Sequence, residues 1–360
     1  MTLEITDEHR ELGSTVRRFL ADAAPLSWVR GMLDDPRGTT DEVWRGLSGL
    51  GVLGLLAPGS GAGMVEMGVV LEELGRAVHP SPVASSAVGA MGLLRGIAPD
   101  DELVEPLAAG EVVGTVALYE PDQRWGWRSP GTTLDGKGRV TGEKVHVGDG
   151  AAADVLLVVT DRGVAVVETD APGVAVEPVD GVDGTRKRAS MRFDGAPGRL
   201  VGDDRDAVAE TVDLLVVATV LDALGAAQAA FEMAVAYAHE RHQFGVPIGS
   251  FQAVQHLLTD SLVRLKQSRA SAYAALPVVD EDPLARHRAA TVAKAFASEA
   301  LYRVGADAIQ VLGGVGYTWE HDVHLFYKRL LSAQHDHGGE DEHLDELARL
   351  MIDAPEGQPA

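Results

Sequence analysis

One short segment combines residue types that suit a phosphate-bearing aromatic ligand. It spans 240–252 and places Arg241, Phe244 and Gly245 within five residues. Arginine presents a planar fork of N–H donors that matches phosphate geometry. Phenylalanine offers a face for stacking, and glycine lets a backbone approach closely. The segment therefore predicts contacts to a phosphate and a ring, although a helix-end arginine beside a core phenylalanine would look the same.

A second segment, 310–317, reads Gln-Val-Leu-Gly-Gly-Val-Gly-Tyr. Taken alone, it could be no more than a glycine-rich stop at the end of a helix. Together, the two segments indicate a shared ligand site more strongly than either does alone.

The elements that must position these segments change character twice along the chain. Residues 1–111 show helical spacing of apolar positions and predict an N-terminal helical domain. Residues 112–203 contain short β-branched runs between turns and predict a middle antiparallel β domain. The runs lie at 112–118, 155–160, 163–168, 174–178 and 190–193.

The helical period returns from 204 to 353, and residues 354–360 are predicted to be disordered. The fold class is therefore α+β. The predicted helices of this last part are 207–240, 250–276, 283–313, 320–333 and 341–352.

Composition limits the possible functions. The chain has 360 residues, enough for two or three packed units, and no cysteine, which excludes disulfides and thiolate chemistry. Its net charge of −23 argues against general affinity for nucleic acid or anionic membranes. The N-terminus lacks the basic start and apolar core of a signal peptide, and no uninterrupted apolar run reaches the roughly 18 residues of a membrane helix. A cytoplasmic location is expected.

The order of helices, β domain and helices, with both motifs in the last part, resembles the acyl-CoA dehydrogenase family over nearly the whole chain. The implied fold has an N-terminal helical domain, a middle antiparallel β domain and a C-terminal four-helix bundle. The segments that carry the resemblance are 71–76, 120–121, 142–144, 241–245, 310–317 and 319–322.

The resemblance implies FAD as cofactor and an acyl-CoA thioester as substrate. In this family a carboxylate removes the α-proton while the flavin accepts a hydride from the β-carbon. The two motifs usually hold the ADP half of the FAD that belongs to a neighbouring subunit, so Arg241 would contact the pyrophosphate and Phe244 would pack near the adenosine. The cofactor-binding residues implied in this way are Arg241, Gln243, Phe244, Gln310, Gly313 and Gly314.

This chain departs from the family where the flavin ring and the base are expected. The two positions that carry the family's base hold His337 and Leu215 here. The family's Gly-x-Gly-Ser-Asp loop corresponds to 122–126, Asp-Gln-Arg-Trp-Gly. Its Trp-Ile-Thr/Ser-Asn step, whose hydroxyl can bond the flavin, corresponds to 146–149, His-Val-Gly-Asp. The differences affect the isoalloxazine side, whereas the ADP-holding motifs are kept.

Asp222 is the candidate replacement for the missing base. It follows Leu215 by seven residues and so shares nearly the same helix face. A carboxylate in an apolar helix would have a raised pKa, which suits proton abstraction. The alternative is a buried polar group hydrogen-bonded inside the bundle. His337 and Glu340 are weaker candidates, since a solvated acidic loop explains both.

The acidic loop also contains groups that can bind metals, but its spacing matches no recognised metal motif, and no metal is predicted. These groups are His335, His337, Glu340, Asp341 and His343.

Three hypotheses follow. The first is a half-site subunit of a hetero-oligomeric FAD-dependent acyl-CoA dehydrogenase, paired with a homologous subunit that carries the glutamate base. The resemblance implies such α2β2 assemblies, bulky substrates such as steroid side chains, and an electron-transferring flavoprotein as acceptor. The second is a self-sufficient homo-oligomer that uses Asp222 as base. The third is a flavin-free protein of the same fold that binds acyl-CoA or a partner.

Overall fold

The computed structural model describes residues 5–121, 126–279 and 282–352. The chain forms two compact units. One comprises 1–21, 68–79 and 216–360, and the other comprises 22–67 and 80–215. This division by contacts does not follow the division by composition, so the boundaries at 111 and 203 stay predictions.

The first part of the chain is helical, as the sequence indicates. Some ends have clear local causes: α3 begins after Thr40, whose hydroxyl accepts a hydrogen bond from the Val43 N–H. The elements are α1 (Asp7–Ala23), α2 (Leu26–Gly31), α3 (Asp41–Gly49), α4 (Met64–Arg76), a π-helix (Ala84–Ala90), α5 (Met91–Ile97) and α6 (Val104–Ala109).

The middle part forms two four-stranded sheets, with strand orders β1-β4-β5-β8 and β2-β3-β7-β6. Three predicted strands, β4, β5 and β6, have their predicted bounds. One pairing differs from the expectation, because β1 runs parallel to β4. The strands are β1 (Gly114–Ala117), β2 (Thr133–Leu134), β3 (Arg139–Gly148), β4 (Val155–Thr160), β5 (Gly163–Glu168), β6 (Val174–Pro178), β7 (Arg188–Pro197) and β8 (Arg199–Gly202).

The last part contains long helices whose ends lie close to those predicted. Helix α7 is long and apolar enough to cross a membrane by length and composition, but 83% of its most apolar window is buried in the protein, as in a core helix. A short hairpin separates it from the next helix. The helices are α7 (Arg205–Glu240), α8 (Gln252–Ala275), α9 (Pro283–Leu312), α10 (Val323–His335) and α11 (Glu340–Ile352).

Two glycines let α4 and α7 touch backbone to backbone. A Cβ on Gly75 would lie 1.9 Å from the Asp222 carbonyl oxygen, and a Cβ on Gly225 would lie 1.9 Å from the Glu72 carbonyl oxygen. Real Cβ atoms cannot approach so closely, so each helix needs a glycine at the crossing. This crossing fixes the position of Asp222.

Candidate functional site

The first motif forms a two-stranded hairpin. Strand β9 (His242–Gln243) pairs antiparallel with β10 (Val246–Pro247). The Ile248 N–H donates to the Arg241 carbonyl at 2.8 Å, and this bond closes the base of the hairpin. Both turn residues have left-handed φ, 52° at Phe244 and 82° at Gly245, which is the pattern of a type I′ turn. Phenylalanine rarely adopts this conformation, so the turn holds a bulky side chain under strain.

The Phe244 side chain is 94% exposed. One edge contact supports it, with the Phe251 ring centroid 6.2 Å away. Arg241 and Gln243 are exposed on the same hairpin. The three predicted cofactor residues of this motif are therefore presented outward, and Phe244 is not the core phenylalanine of the alternative interpretation.

The second motif ends α9. Gly313 caps the helix with φ 64° and ψ −137°, a conformation that disfavours other residues. A Cβ on Gly313 or Gly314 would meet no atom within 4 Å, and the Gln310 side chain is exposed. The open space at these glycines would let a phosphate group come close to the main chain. Both motifs therefore fit the ADP half of a dinucleotide.

Aromatic exposure is concentrated at these motifs. Among the residues the structure describes, the three most exposed aromatic side chains are Phe244 at 94%, Tyr317 at 80% and Trp319 at 63%. Lys328 packs its ammonium 4.4 Å from the Trp319 ring centroid. Exposed aromatic side chains next to polar groups are typical of protein interfaces and ligand sites.

Asp222 lies in a buried ion pair. The Arg329 Nη1 donates to both Asp222 carboxylate oxygens at 2.9 and 3.0 Å, and its Nη2 donates to the His79 carbonyl at 3.2 Å. The Arg329 and Asp222 side chains are 1% and 3% exposed. The carboxylate therefore has a buried cationic partner in Arg329, and the assignment of Asp222 as base stays a prediction. The arrangement is the hydrogen-bonded alternative considered above.

The turn after α10 holds the other base candidates. His337 has φ 56°, and its carbonyl accepts a hydrogen bond from His343 Nε2 at 2.9 Å. The Gly339 N–H donates to the Glu342 carboxylate at 2.7 Å. Burial lowers the pKa of His343. The backbone at 337–339 is thus fastened to the start of α11, and Glu340 begins that helix.

Lys294 secures the same turn from the other side. Its ammonium donates to the Ala333 and Gln334 carbonyls at 2.6 and 3.2 Å and to the Ser298 hydroxyl at 3.1 Å. These contacts satisfy the last carbonyls of α10. Burial lowers the pKa of Lys294 to about 8.

A cavity of about 10 Å³ lies beside Lys294. It has room for about one water molecule and cannot hold an acyl chain. Within the described parts of the chain, no three histidine, cysteine or acidic side chains are arranged to hold a metal ion.

The Glu120 carboxylate links residue 120 to residues 131 and 132. This carboxylate accepts hydrogen bonds from the Gly131 N–H at 2.7 Å, the Thr132 N–H at 2.9 Å and Lys144 Nζ at 2.7 Å. Burial would raise the pKa of Glu120, but these bonds, led by that of Lys144, lower it to about 2. Residues 122–125, where the family's loop differs, lie outside the described residues.

The segment 146–149 is held by bonds that the sequence does not reveal. A β-bulge between Lys144 and Val147 turns His146 outward with φ 53°. The Thr115 hydroxyl donates to the Gly148 carbonyl at 2.7 Å, and the Ser85 hydroxyl donates to the Asp149 carboxylate. Ser85, Lys294 and Arg329 were missed because their partners are distant in sequence. For Lys294 and Arg329, the one available signal in the sequence was a charged residue within an apolar helical segment, which is rare.

Comparison with known proteins extends the resemblance. The family "Acyl-CoA dehydrogenase, N-terminal domain" matches residues 6–98, and "Acyl-CoA dehydrogenase, C-terminal domain" matches residues 207–352. Acyl-CoA dehydrogenase IpdE2 of Mycobacterium tuberculosis is 31% identical, with 90% of this chain and 91% of that protein covered. Acyl-CoA dehydrogenase FadE34 of the same organism is 34% identical over 91% of this chain, which spans only 46% of its length.

Two solved structures are similar over nearly their full length. A variant of the Tcur3481–Tcur3483 steroid ACAD has 29% identity and a TM-score of 0.89, with 97% of this chain and 99% of that chain covered. The ChsE4–ChsE5 complex of Mycobacterium tuberculosis has 28% identity and a TM-score of 0.89, with 99% and 100% covered.

Proposed function

We propose a half-site role for this chain, which belongs to the acyl-CoA dehydrogenase family: it would hold the ADP half of an FAD whose ring and base lie in a homologous partner subunit. The observation that carries the proposal is the exposure of Phe244, at 94% the most exposed aromatic side chain described. A strained, outward-facing phenylalanine beside Arg241 needs a partner surface or ligand to cover it.

The chain lacks a carboxylate suited to proton abstraction at the family's positions. Leu215 and His337 stand there, and Asp222 is committed to Arg329. A buried carboxylate whose two oxygens both accept from one guanidinium nitrogen is a poor base, because taking up a proton would weaken the pair. The base would therefore come from the partner.

Two similar structures support the choice of partner. One is the ChsE4–ChsE5 complex, which joins two differently named chains. The other is the steroid ACAD of the pair Tcur3481–Tcur3483. We propose by analogy that this chain pairs with a homologous subunit that contains the Tyr-Glu-Gly step, and that the substrate is a bulky acyl-CoA thioester such as a steroid side-chain thioester.

The roles of this chain's own residues follow from their chemistry. When bound, FAD supplies the hydride acceptor for α,β-dehydrogenation. Arg241 would pair with the pyrophosphate, Phe244 would cover the adenosine, and the Gly313–Gly314 backbone would approach the phosphates, with Gln310 and Gln243 donating hydrogen bonds. A cytoplasmic location and an electron-transferring flavoprotein as acceptor belong to the same proposal.

Expression alone and with such a partner tests the proposal. We expect little FAD on the chain alone, FAD in the complex, and dye-linked acyl-CoA oxidation only by the complex. Arg241→Ala in this chain should lower the FAD content of the complex at least several-fold, because charge-assisted bonds to phosphate are lost. Arg349→Ala, which changes an arginine paired with Glu346 on the surface of α11, is the matched control and should leave FAD bound.

The other two hypotheses predict different outcomes. Full flavin loading and turnover by the chain alone would support the self-sufficient homo-oligomer and overturn the half-site role. A colourless complex with tight acyl-CoA binding would instead support the flavin-free protein.

A further inference from the structure

The last helix, α11, packs against α9 and buries a histidine there instead of an apolar residue. Within α11, which is described in full, His343 is the one buried residue, and it is 4% exposed. The larger apolar side chains of the helix are half-buried or exposed: Leu344, Leu347, Leu350, Met351 and Ile352. A helix packed on a protein ordinarily buries its apolar residues and exposes its polar ones. The attachment of α11 therefore depends on a group that can gain a charge.

The His343 ring lies against the turn that precedes α11. Its Nε2 donates to the His337 carbonyl at 2.9 Å. A Cβ on Gly338 would lie 2.9 Å from the same nitrogen, and Gly338 has φ 98°. Both the space and the backbone conformation thus require glycine beside the ring.

Two carboxylates of α11 add further bonds. Glu342 accepts from the Gly339 N–H at 2.7 Å, and Glu346 lies 3.1 Å from Nε2 of His287 on α9. The side-chain contacts that fasten α11 therefore use titratable groups, so the attachment can respond to pH.

The surroundings of His343 already contain positive charge. Lys294 of α9 is 1% exposed. Burial lowers the pKa of His343 most, the bond to the His337 carbonyl raises it, the Lys294 ammonium lowers it, Glu342 raises it and His287 lowers it. The charged or titratable side chains that face this cluster are His287 and Lys294 from α9, His335 and Asp336 from the end of α10, and Glu342 and Glu346 from α11.

We propose that α11 is a pH-dependent strap: protonation of His343 beside the buried Lys294 ammonium releases the helix from α9, with the turn 336–339 as its hinge. A second cation would enter a site that is closed to water, whereas in the released helix the imidazolium would be hydrated. Gly338 and Gly339 give the turn the backbone freedom that a hinge needs. All of these residues belong to one unit, which includes 216–360.

The direction of the pH effect follows from the two buried bases. The pKa of His343 in the attached state is below its usual 6.5, so its contribution to attachment is fully present above pH 6.5 and is lost as the pH falls through the attached-state pKa. Lys294, with a pKa of about 8, is charged at neutral pH and loses its charge at higher pH, which also favours attachment. Carboxylates ordinarily titrate near pH 4, so a series from pH 7 to about 5.5 isolates the histidine.

Hydrogen exchange of the full-length chain measures the release. Protection factors for amides in 340–352, corrected for the intrinsic exchange rate at each pH, report the released population. Between pH 7 and 5.5 we expect them to fall by about 5- to 10-fold, because one proton is taken up on release. Amides in α7 should keep their protection over the same range.

Three histidine variants identify the group that titrates. His343→Gln can still donate to the His337 carbonyl but does not titrate, so its protection factors should fall by less than about twofold, since no proton is taken up. His287→Gln should keep most of the fall. His256→Gln, which changes an exposed histidine on α8, is the matched control and should keep all of it. Circular dichroism checks folding, and His343→Leu repeats the test if His343→Gln does not fold.

Four results would overturn the proposal. These are protection in 340–352 that does not change between pH 7 and 5.5, a parallel loss of protection in α7, a full fall in the folded His343 variants, and a fall that disappears in His287→Gln. The experiment requires neither flavin nor a partner subunit, so its outcome is independent of the half-site role.

Discussion

Removing the Asp222 carboxylate should make the folded protein less stable, whether or not it also changes activity. The Asp222–Arg329 pair is nearly free of solvent, with side chains 3% and 1% exposed. In Asp222→Ala, the guanidinium keeps its bond to the His79 carbonyl at 3.2 Å but loses the carboxylate that accepts from its Nη1. Breaking a buried pair from one side costs about 3–5 kcal/mol, and we expect a loss of that size in the free energy of unfolding.

Replacing both partners should cost much less. Asp222→Leu with Arg329→Met removes both charges of the pair, and exchanging a buried pair for apolar side chains is often neutral or stabilising. The cycle is built from Asp222→Leu and Arg329→Met. Each single change leaves one buried charge and should cost about 3–5 kcal/mol, whereas the double change should cost little, so the coupling (the two single costs less the double cost) should be about 5–10 kcal/mol. Urea unfolding followed by circular dichroism at constant pH measures all four proteins.

Two results would refute this view of Asp222. A loss below about 1 kcal/mol in Asp222→Ala would mean that the pair contributes little, since one-sided removal of a buried partner costs several times more. Asp222→Asn that keeps stability and FAD binding but loses all turnover would instead identify Asp222 as the base.

Three further predictions concern pH and packing. Glu120 has a folded pKa of about 2, below its usual 4.5. Its contribution to stability should therefore be present above pH 4.5 and lost as the pH falls towards 2. Glu120→Gln should flatten this acid dependence of the free energy of unfolding, measured by urea titration. Lys294 has a folded pKa of about 8 against 10.5, so the unfolded chain binds more protons between these values. Stability should rise across that window by on the order of 3 kcal/mol, and Lys294→Met should remove the rise in unfolding series from pH 7 to 11. Gly225→Ala should destabilise by more than the 1–3 kcal/mol of ordinary overpacking, because its Cβ would lie 1.9 Å from the Glu72 carbonyl oxygen; normal thermal unfolding would contradict the crossing of α4 and α7.

The long helices and three strands could be predicted because their patterns are local. Helices α7 to α11 and strands β4 to β6 follow from spacing and turn residues within the segments themselves. Strand β3 was missed because Gly142 and a bulge interrupt its alternation. The parallel pairing of β1 and β4 could not be predicted, since each residue of β1 pairs with a residue 41 positions further along the chain, as Gly114 does with Val155.

The candidate site likewise could be predicted only where its residues lie close together in the sequence. The exposed hairpin with Arg241 and Phe244 was marked by contiguous residues. The partner of Asp222 lies 107 positions away and that of Ser85 lies 64 away, so the local sequence around either residue could not reveal its partner. Carboxylates in apolar helices need their tertiary partners before a role can be assigned.

The FAD content of the purified chain, alone and with a homologous glutamate-containing subunit, tests the central proposal most directly. The half-site role predicts little flavin on the chain alone, flavin in the complex, and loss of that flavin when Arg241 of this chain becomes alanine. Stoichiometric FAD with acyl-CoA turnover by this chain alone would contradict it.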